Sequence, residues 1–244
     1  MKIALAALAF EDKDIRRNRQ TILKAMEQYS GQADLLVFGE TFLQGFDVLT
    51  WDYEKDRILA VEEHDPVIEE IAKAAAEYHL AVSFGFIERC GEKLYSSQFT
   101  IGANGEKVNL FRRVSEGWKE PGAGAHYSEG TEFPLFSYGG KSFSVGLCGD
   151  LWDEKNVQAV HQLHADLVLW PVYTDFNVKE WDREIKFDYA AQAGKLGSRV
   201  LLVNSYCLTK KEYETAKGGA IYFLNGEIRS ELEAGEPGVM VIEV

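Results

Sequence analysis

The chain has 244 residues, 46% of them hydrophobic, and its 26 Lys and Arg residues against 39 Asp and Glu residues give a formal net charge of −13. This length suits one large α/β domain or two small ones, and it is long enough to bury a substantial core. The negative charge excludes a basic footprint for phosphates, so we expect no nucleic-acid partner.

The N-terminal segment MKIALAALAF is apolar over about eight residues, which is too short for a membrane span. Ala7-Leu8-Ala9 imitates a signal-peptidase site, but the segment before it is shorter than the roughly 15–30 residues of a signal peptide and acidic residues follow directly. We therefore expect a buried first strand over Lys2–Ala9, a cytoplasmic protein and no membrane partner.

Hydrophobic periodicity predicts strands and helices that alternate along the rest of the chain. In the first third, the predicted elements are a helix over 12–29, a strand over 33–38 and a helix over 66–78. Three short strands follow, over 81–89, 93–102 and 106–114.

The second half of the chain shows the same alternation. A hairpin is predicted over 133–148, with Gly139-Gly140 at its turn. The remaining predictions are a helix over 155–164, a strand over 166–172, a helix over 180–196 and closing strands over 199–207, 218–228 and 238–244. No linker divides the chain, so we expect a single α/β domain over residues 1–244.

Three apolar runs end in a chemically reactive residue: LLVFGE in Glu40, VNLFRR in Arg113 and SVGLC in Cys148. Sites in open α/β sheets collect beyond the carboxyl ends of strands. A carboxylate could take the thiol proton, a cation could stabilise a thiolate or an oxyanion, and the Gly149 N–H could also hold the oxyanion. The alternatives are a small core cysteine and solvated charges at strand ends.

The order of these residues resembles that of the nitrilase, or carbon–nitrogen hydrolase, superfamily. DLLVFGE looks like its first element, with Glu40, and GLCGDLWDE looks like its third, with Cys148. HADLVLWPV then resembles the strand that follows the family's cysteine.

The resemblance implies a four-layer α-β-β-α sandwich, assembled as a homodimer or larger. It also implies a hydrolase that cleaves the C–N bond of a small amide or N-carbamoyl compound through a thioester on Cys148, with no metal or cofactor. Three cysteines without a CxxC or Cys/His cluster are typical of a reduced protein without a zinc site: Cys90, Cys148 and Cys207.

The chain departs from the family pattern at the lysine, whose column falls on Arg113. Arginine carries a permanent charge but a larger, planar head. Lys119, in SEGWKEPG, is the alternative and the favoured cation, because a compact charge suits the role better.

Glu120 matches the second acid that family members often add. Both Lys119 and Glu120 could equally be solvated loop residues, and without a cation at Cys148 the chain would be a non-catalytic binding or assembly protein on the same fold. An acyltransferase that uses the same thioester is a third possibility.

Aromatic residues follow the cysteine closely and could line a substrate pocket. Trp152 and Tyr173 are the main candidates, with Trp170 and Phe176 beside them. The alternative for each is an ordinary place in the core.

Overall fold

Two six-stranded sheets form the centre of the fold in the computed structural model, which describes residues 1–244. The strands are β1 (Lys2–Ala7), β2 (Ala9–Phe10), β3 (Leu35–Phe38), β4 (Ala81–Cys90), β5 (Lys93–Ile101), β6 (Lys107–Arg112), β7 (Phe136–Tyr138), β8 (Lys141–Val145), β9 (Leu167–Val172), β10 (Arg199–Asn204), β11 (Tyr206–Cys207), β12 (Ala220–Leu224), β13 (Glu227–Leu232) and β14 (Gly238–Glu243). The helices are α1 (Ile15–Tyr29), α2 (Tyr53–Leu59), α3 (Pro66–Tyr78), α4 (Glu154–Gln162), α5 (Val178–Glu180) and α6 (Lys186–Gly194). Short 3-10 turns cover Glu116–Trp118 and Cys148–Trp152, and a π-turn covers Trp181–Ile185.

The two sheets have the same plan. The first has the order β14-β1-β3-β4-β5-β6 and the second β13-β12-β10-β9-β8-β7. Each has three parallel strands at its centre: β1, β3 and β4 in the first, and β8, β9 and β10 in the second. Parallel neighbours need a crossover, and helices α1 and α3 supply it on the first sheet while α4 and α6 do so on the second.

Alternate residues of the central strands face opposite layers, as the period of two of a strand requires. Ile3 and Leu5 of β1 pack against the second sheet, in a core that also contains Leu169 of β9. Ala4 and Ala6 of the same strand pack on the side of α1 and α3. The outer face of the second sheet packs on α4 and α6 in the same way. The predicted four-layer α-β-β-α sandwich is therefore confirmed.

Several predicted elements are confirmed at their ends as well. Helix α3 begins at Pro66, after Asp65 accepts the Val67 N–H, and it ends before the left-handed His79. The hairpin between β7 and β8 turns at Gly139 and Gly140, whose φ angles are 55° and 75°. Two successive positive φ angles are what a two-residue hairpin turn demands.

Three differences have clear causes. The single strand predicted over 218–228 is two strands, because Asn225-Gly226 forms a tight turn with φ angles of 54° and 80°. Helix α2 was not predicted, and its short sequence is held in place by Asp56, which accepts the Trp51 N–H. The helix predicted over 180–196 is interrupted by the π-turn at Trp181–Ile185.

No helix has the length and the continuous apolar character that crossing a membrane would require.

Candidate active site

Glu40 is a fully buried carboxylate just beyond the end of β3. Its Oε1 accepts hydrogen bonds from the Ser96 hydroxyl, at 2.8 Å, and from Arg113 Nη1, at 2.9 Å. Its Oε2 is buried and has no hydrogen-bond partner. The Glu40 N–H donates to the Val172 carbonyl at the end of β9, so Glu40 lies where the ends of the two sheets meet. One carboxylate oxygen is therefore fixed and the other is free to accept a proton.

Arg113 directly follows β6, and its guanidinium is only 3% exposed. Its N–H donates to the Ser96 carbonyl, which places Arg113 beside the Ser96 side chain that also binds Glu40. Nε donates to the Ser115 hydroxyl at 2.9 Å and Nη1 donates to Glu40. Burial by itself would lower the pKa of Arg113, but the charge of Glu40 and its hydrogen bond raise it, and the net shift is upward. The guanidinium therefore stays cationic.

Cys148 begins the 3-10 turn that follows β8, and its backbone is strained. Its φ angle is +42°, in the left-handed region that side chains other than glycine rarely adopt. Such strain costs on the order of 1–3 kcal/mol and clusters at functional sites. Trp170 Nε1 donates to the Cys148 carbonyl at 2.9 Å, and the thiol donates to the Tyr173 carbonyl at 3.5 Å. The surrounding core thus holds the strained residue in one orientation.

The thiol of Cys148 is protonated at neutral pH. Burial raises the pKa of Cys148 to about 12, the negative charge of Glu40 adds to this, and the Arg113 charge opposes it. Because the thiolate is the reactive form, this cysteine needs a base to remove its proton during the reaction. The free oxygen of Glu40 is the candidate for that base.

Two glycines flank the remaining guanidinium nitrogen, Arg113 Nη2. A Cβ on Gly149 would lie 2.5 Å from Nη2, and one on Gly117 would lie 3.3 Å from it. The first distance is shorter than real Cβ contacts, so a side chain at position 149 would force the guanidinium to shift. Arg113 thus bonds Glu40 through one nitrogen and contacts the residue next to Cys148 with the other.

The structure does not bring Lys119 or Glu120 into this arrangement. Lys119 Nζ pairs with Glu129 at 2.6 Å and donates to the Tyr127 carbonyl, while Glu120 is exposed. The neighbouring Trp118 is 5% exposed and packs near Tyr127. The Lys119 ammonium is therefore engaged by Glu129 and not by Glu40. The residues brought together are Glu40, Arg113, Cys148 and Gly149.

The aromatic candidates divide between surface and core. Trp152 is 44% exposed and meets the Tyr189 ring edge-on at 4.9 Å. Tyr173 is buried, stacks on Phe46 and donates its hydroxyl to Asp47, so its carbonyl and not its ring faces Cys148. Trp170 is fully buried and Phe176 is partly exposed. Trp152 is the one of the two main candidates whose side chain is open to a ligand.

Sequence reasoning missed three polar residues that shape the site. The Ser96 hydroxyl donates to Glu40, and the Ser115 hydroxyl accepts from Arg113 Nε. The Asp150 carboxylate accepts backbone N–H groups from the segment after Arg113 and from the segment before Cys148. Asp150 stands two residues after the cysteine, and this spacing was the only available signal. Ser96 reaches the site through the pairing of β5 with β6, which the sequence does not display. No cluster of three or more His, Cys, Asp or Glu side chains is arranged to hold a metal ion.

Sequence comparisons show which known proteins the chain is similar to. A family model described as carbon–nitrogen hydrolase matches residues 2–244. An (R)-stereoselective amidase from a Pseudomonas species is 29% identical over 171 residues, which are 69% of this chain and 59% of that protein. A bromoxynil-specific nitrilase from Klebsiella pneumoniae subsp. ozaenae is 30% identical over 95 residues, 35% of this chain and 27% of that protein. The matched segments thus span less than two thirds of either relative.

Solved structures share the fold at low sequence identity. An amidase from a Nesterenkonia species superposes with a TM-score of 0.80 at 22% identity, over 100% of this chain and 90% of the other. The glutamine-dependent NAD+ synthetase from Acinetobacter baumannii superposes with a TM-score of 0.77, also at 22% identity, over 98% of this chain and 44% of the other.

Proposed function

The chain belongs to the carbon–nitrogen hydrolase family, as its sequence resemblance predicts, and from this premise we propose that it hydrolyses a small amide or N-carbamoyl compound through a thioester on Cys148. We propose also that residues 1–244 act as one catalytic domain. The observation that carries the proposal is the position of Arg113, which bonds Glu40 and contacts Gly149 beside the cysteine.

The proposed reaction begins with attack by the Cys148 sulfur on the substrate carbonyl carbon. Glu40 takes the thiol proton as the S–C bond forms, and the carbonyl oxygen becomes an oxyanion. Collapse of this intermediate breaks the C–N bond, and Glu40 passes its proton to the departing nitrogen. Water then gives a proton to Glu40 and attacks the thioester, which releases the acid, and the returning proton restores the thiol. The free Oε2 of Glu40 supports this role.

Arg113 is the cation of the proposed mechanism. Its Nε and Nη1 donate to Ser115 and Glu40, whereas Nη2 lies against Gly149. Nη2 is the proposed donor to an oxyanion formed on substrate bound to Cys148. The Gly149 N–H is the second proposed donor. Lys119 and Glu120 are given no part, because Lys119 is engaged by Glu129 and Glu120 faces solvent.

An amide substrate is favoured over a nitrile. The Pseudomonas amidase is 29% identical over 69% of this chain, whereas a probable nitrilase from Schizosaccharomyces pombe matches the same share at 24% identity. One variant of the Nesterenkonia amidase has been solved in complex with butyramide, and another carries the acetamide moiety of fluoroacetamide covalently on the active-site cysteine. These relatives support a small amide and a nucleophilic cysteine in this chain.

A non-catalytic binding or assembly protein is the second candidate, favoured by one observation: an arginine stands in the column of the family's lysine. An acyltransferase would form the same thioester but pass its acyl group to an added amine or alcohol. Release of ammonia together with the free acid, without dependence on an acceptor, separates hydrolysis from both.

We expect Glu40→Gln to abolish ammonia release from aliphatic amides such as butyramide, by at least about 10³-fold. The amide side chain can neither take the thiol proton nor give one to the leaving nitrogen. Cys148 should still react with fluoroacetamide, because the variant loses the Glu40 charge that raises the pKa of the thiol and keeps the Arg113 charge that lowers it. Alkylation then expels fluoride, which needs no proton to leave. Ammonia assays and peptide mass spectrometry provide the two measurements.

Glu88→Gln is a matched control for that variant. Glu88 is also buried, accepts from the Ser97 hydroxyl and pairs with Arg112, but it lies elsewhere on the same sheet. Activity should survive Glu88→Gln, apart from losses explained by unfolding. Full activity in Glu40→Gln, or a wild-type protein that neither releases ammonia nor reacts at Cys148, would rule out the proposed function.

A further inference from the structure

Asp150 is a fully buried carboxylate that binds three backbone N–H groups from two separate segments. Its Oδ1 accepts from Val114 at 3.0 Å and from Ser115 at 2.6 Å, and its Oδ2 accepts from Leu147 at 2.9 Å. Each oxygen is therefore committed to a different segment of the chain.

These two segments carry the reacting groups of the proposed site. Val114 and Ser115 directly follow Arg113, and Leu147 directly precedes Cys148. Strands β6 and β8, from which the segments extend, lie in different sheets, so no ladder of backbone hydrogen bonds joins them. The Asp150 side chain supplies that connection.

We propose that Asp150 is a positioning residue, whose carboxylate fixes the Arg113 guanidinium relative to the Cys148 thiol. The inference rests on the proposed function of these two residues and deepens it. Asp150 itself acts through the backbone on either side, because both of its oxygens are occupied by N–H groups. A displacement of about 1 Å between reacting groups can cost about 10²-fold in rate, which sets the scale of the effect.

The same arrangement makes the site sensitive to acid. Burial raises the pKa of Asp150 to about 6, against the lowering effects of the Ser115 N–H and the Arg113 charge. Two ionisable side chains lie beside Asp150: Arg113 from the end of β6, whose charge lowers the pKa of Asp150, and the neutral Cys148 thiol of its own turn, whose pKa Asp150 raises. Glu40 lies beyond them, on the Arg113 guanidinium. As the pH falls through about 6, one oxygen gains a proton and stops accepting, so a segment is released and activity falls.

Asp150→Asn tests this role, because an amide offers one accepting oxygen where three N–H groups converge. It can hold the segment after Arg113 or the segment before Cys148, but not both. We expect kcat to fall by about 100-fold with little change in KM, and the acid limb near pH 6 to disappear from the pH profile of kcat/KM. Hydrogen exchange should become faster in the peptides that contain Val114, Ser115 and Leu147.

Asp166→Asn is the matched control, because Asp166 also accepts a backbone N–H, that of Ser142, but is exposed. It directly precedes β9, whose other end reaches the site. Its exchange and kinetics should match the wild type. Unchanged exchange in Asp150→Asn, or faster exchange with an unchanged kcat and acid limb, would overturn the inference. Hydrogen exchange is measured without substrate, so it shows whether Asp150 holds the two segments even if the protein hydrolyses no amide. A wild type that hydrolyses no amide would refute the proposed function alone.

Discussion

Replacing Cys148 with alanine is expected to lower amide hydrolysis by at least about 10⁴-fold, the scale seen when a covalent nucleophile is removed. Cys148→Ala removes the only protein atom that is proposed to bond to the substrate carbon, while Glu40 and Arg113 keep their ion pair. Alanine at position 148 has to adopt the same φ of +42° as the cysteine, and its smaller side chain adds no new clash to the turn. The measurement is the rate of ammonia release from butyramide, with thermal unfolding recorded beside it.

The other two cysteines supply the control for that experiment. Cys90 is exposed and Cys207 is buried, and neither contacts Glu40 or Arg113 through a hydrogen bond. Alanine at either position should leave the hydrolysis rate within about twofold of the wild type, since substitutions away from the site act mainly through stability. Retention of activity in Cys148→Ala would show that the chemistry occurs elsewhere.

Loss of the Arg113 charge is expected to have the second large effect. Arg113→Met leaves the carboxylate of Glu40 buried and unpaired, which should lower the free energy of unfolding by about 3–5 kcal/mol. It also removes a donor to the oxyanion, which should lower kcat by at least about 10²–10³-fold. Chemical denaturation and steady-state kinetics measure the two effects. The control is Arg112→Met, which breaks the adjacent Arg112–Glu88 pair and should cost stability with a much smaller loss of kcat.

Gly149 provides a sharper test of the arginine. Gly149→Ala would place a methyl group against Arg113 Nη2, whose neighbours Nε and Nη1 are both held, so the guanidinium must be displaced. Lysine has no Nη2, so the same alanine in an Arg113→Lys background should cost far less. The wild type, the two single variants and the double variant form a double-mutant cycle. We expect this cycle to show a coupling free energy of about 1–3 kcal/mol between positions 113 and 149 in kcat/KM. Additive effects would mean that Arg113 and Gly149 act independently.

The α/β class of the fold was predictable because it depends on local pattern: apolar strands and amphipathic helices alternate along the chain. The four-layer arrangement with two sheets was predicted only by the resemblance to the family. Turn chemistry indicated the Gly139-Gly140 hairpin correctly. The Asn225-Gly226 turn carried an equally strong signal, and the prediction of one strand over 218–228 was wrong because that signal was not used.

The site was predictable only in part, because its geometry depends on contacts between distant segments. The reactive residues at strand ends pointed to Glu40, Arg113 and Cys148. The choice between Arg113 and Lys119 depended on how the loop after β6 folds, and in the folded chain Arg113 pairs with Glu40 while Lys119 pairs with Glu129. Ser96 and Asp150 enter through strand register and through backbone N–H groups, which side-chain patterns do not reveal.

In the proposed mechanism, Cys148 carries the acyl group, and Glu40 takes the thiol proton and passes it to the leaving nitrogen. The most direct measurement is to mix Glu40→Gln with a p-nitrophenyl ester, whose leaving group needs no proton, and to locate the acyl group by peptide mass spectrometry. We predict one acyl group on Cys148, because the thiol loses the Glu40 charge that raises its pKa while Arg113 still lowers it. The acyl group persists because no base remains to activate water for attack on the thioester. An acyl group that is absent from Cys148, or that is spread equally over Cys90, Cys148 and Cys207, would contradict the claim.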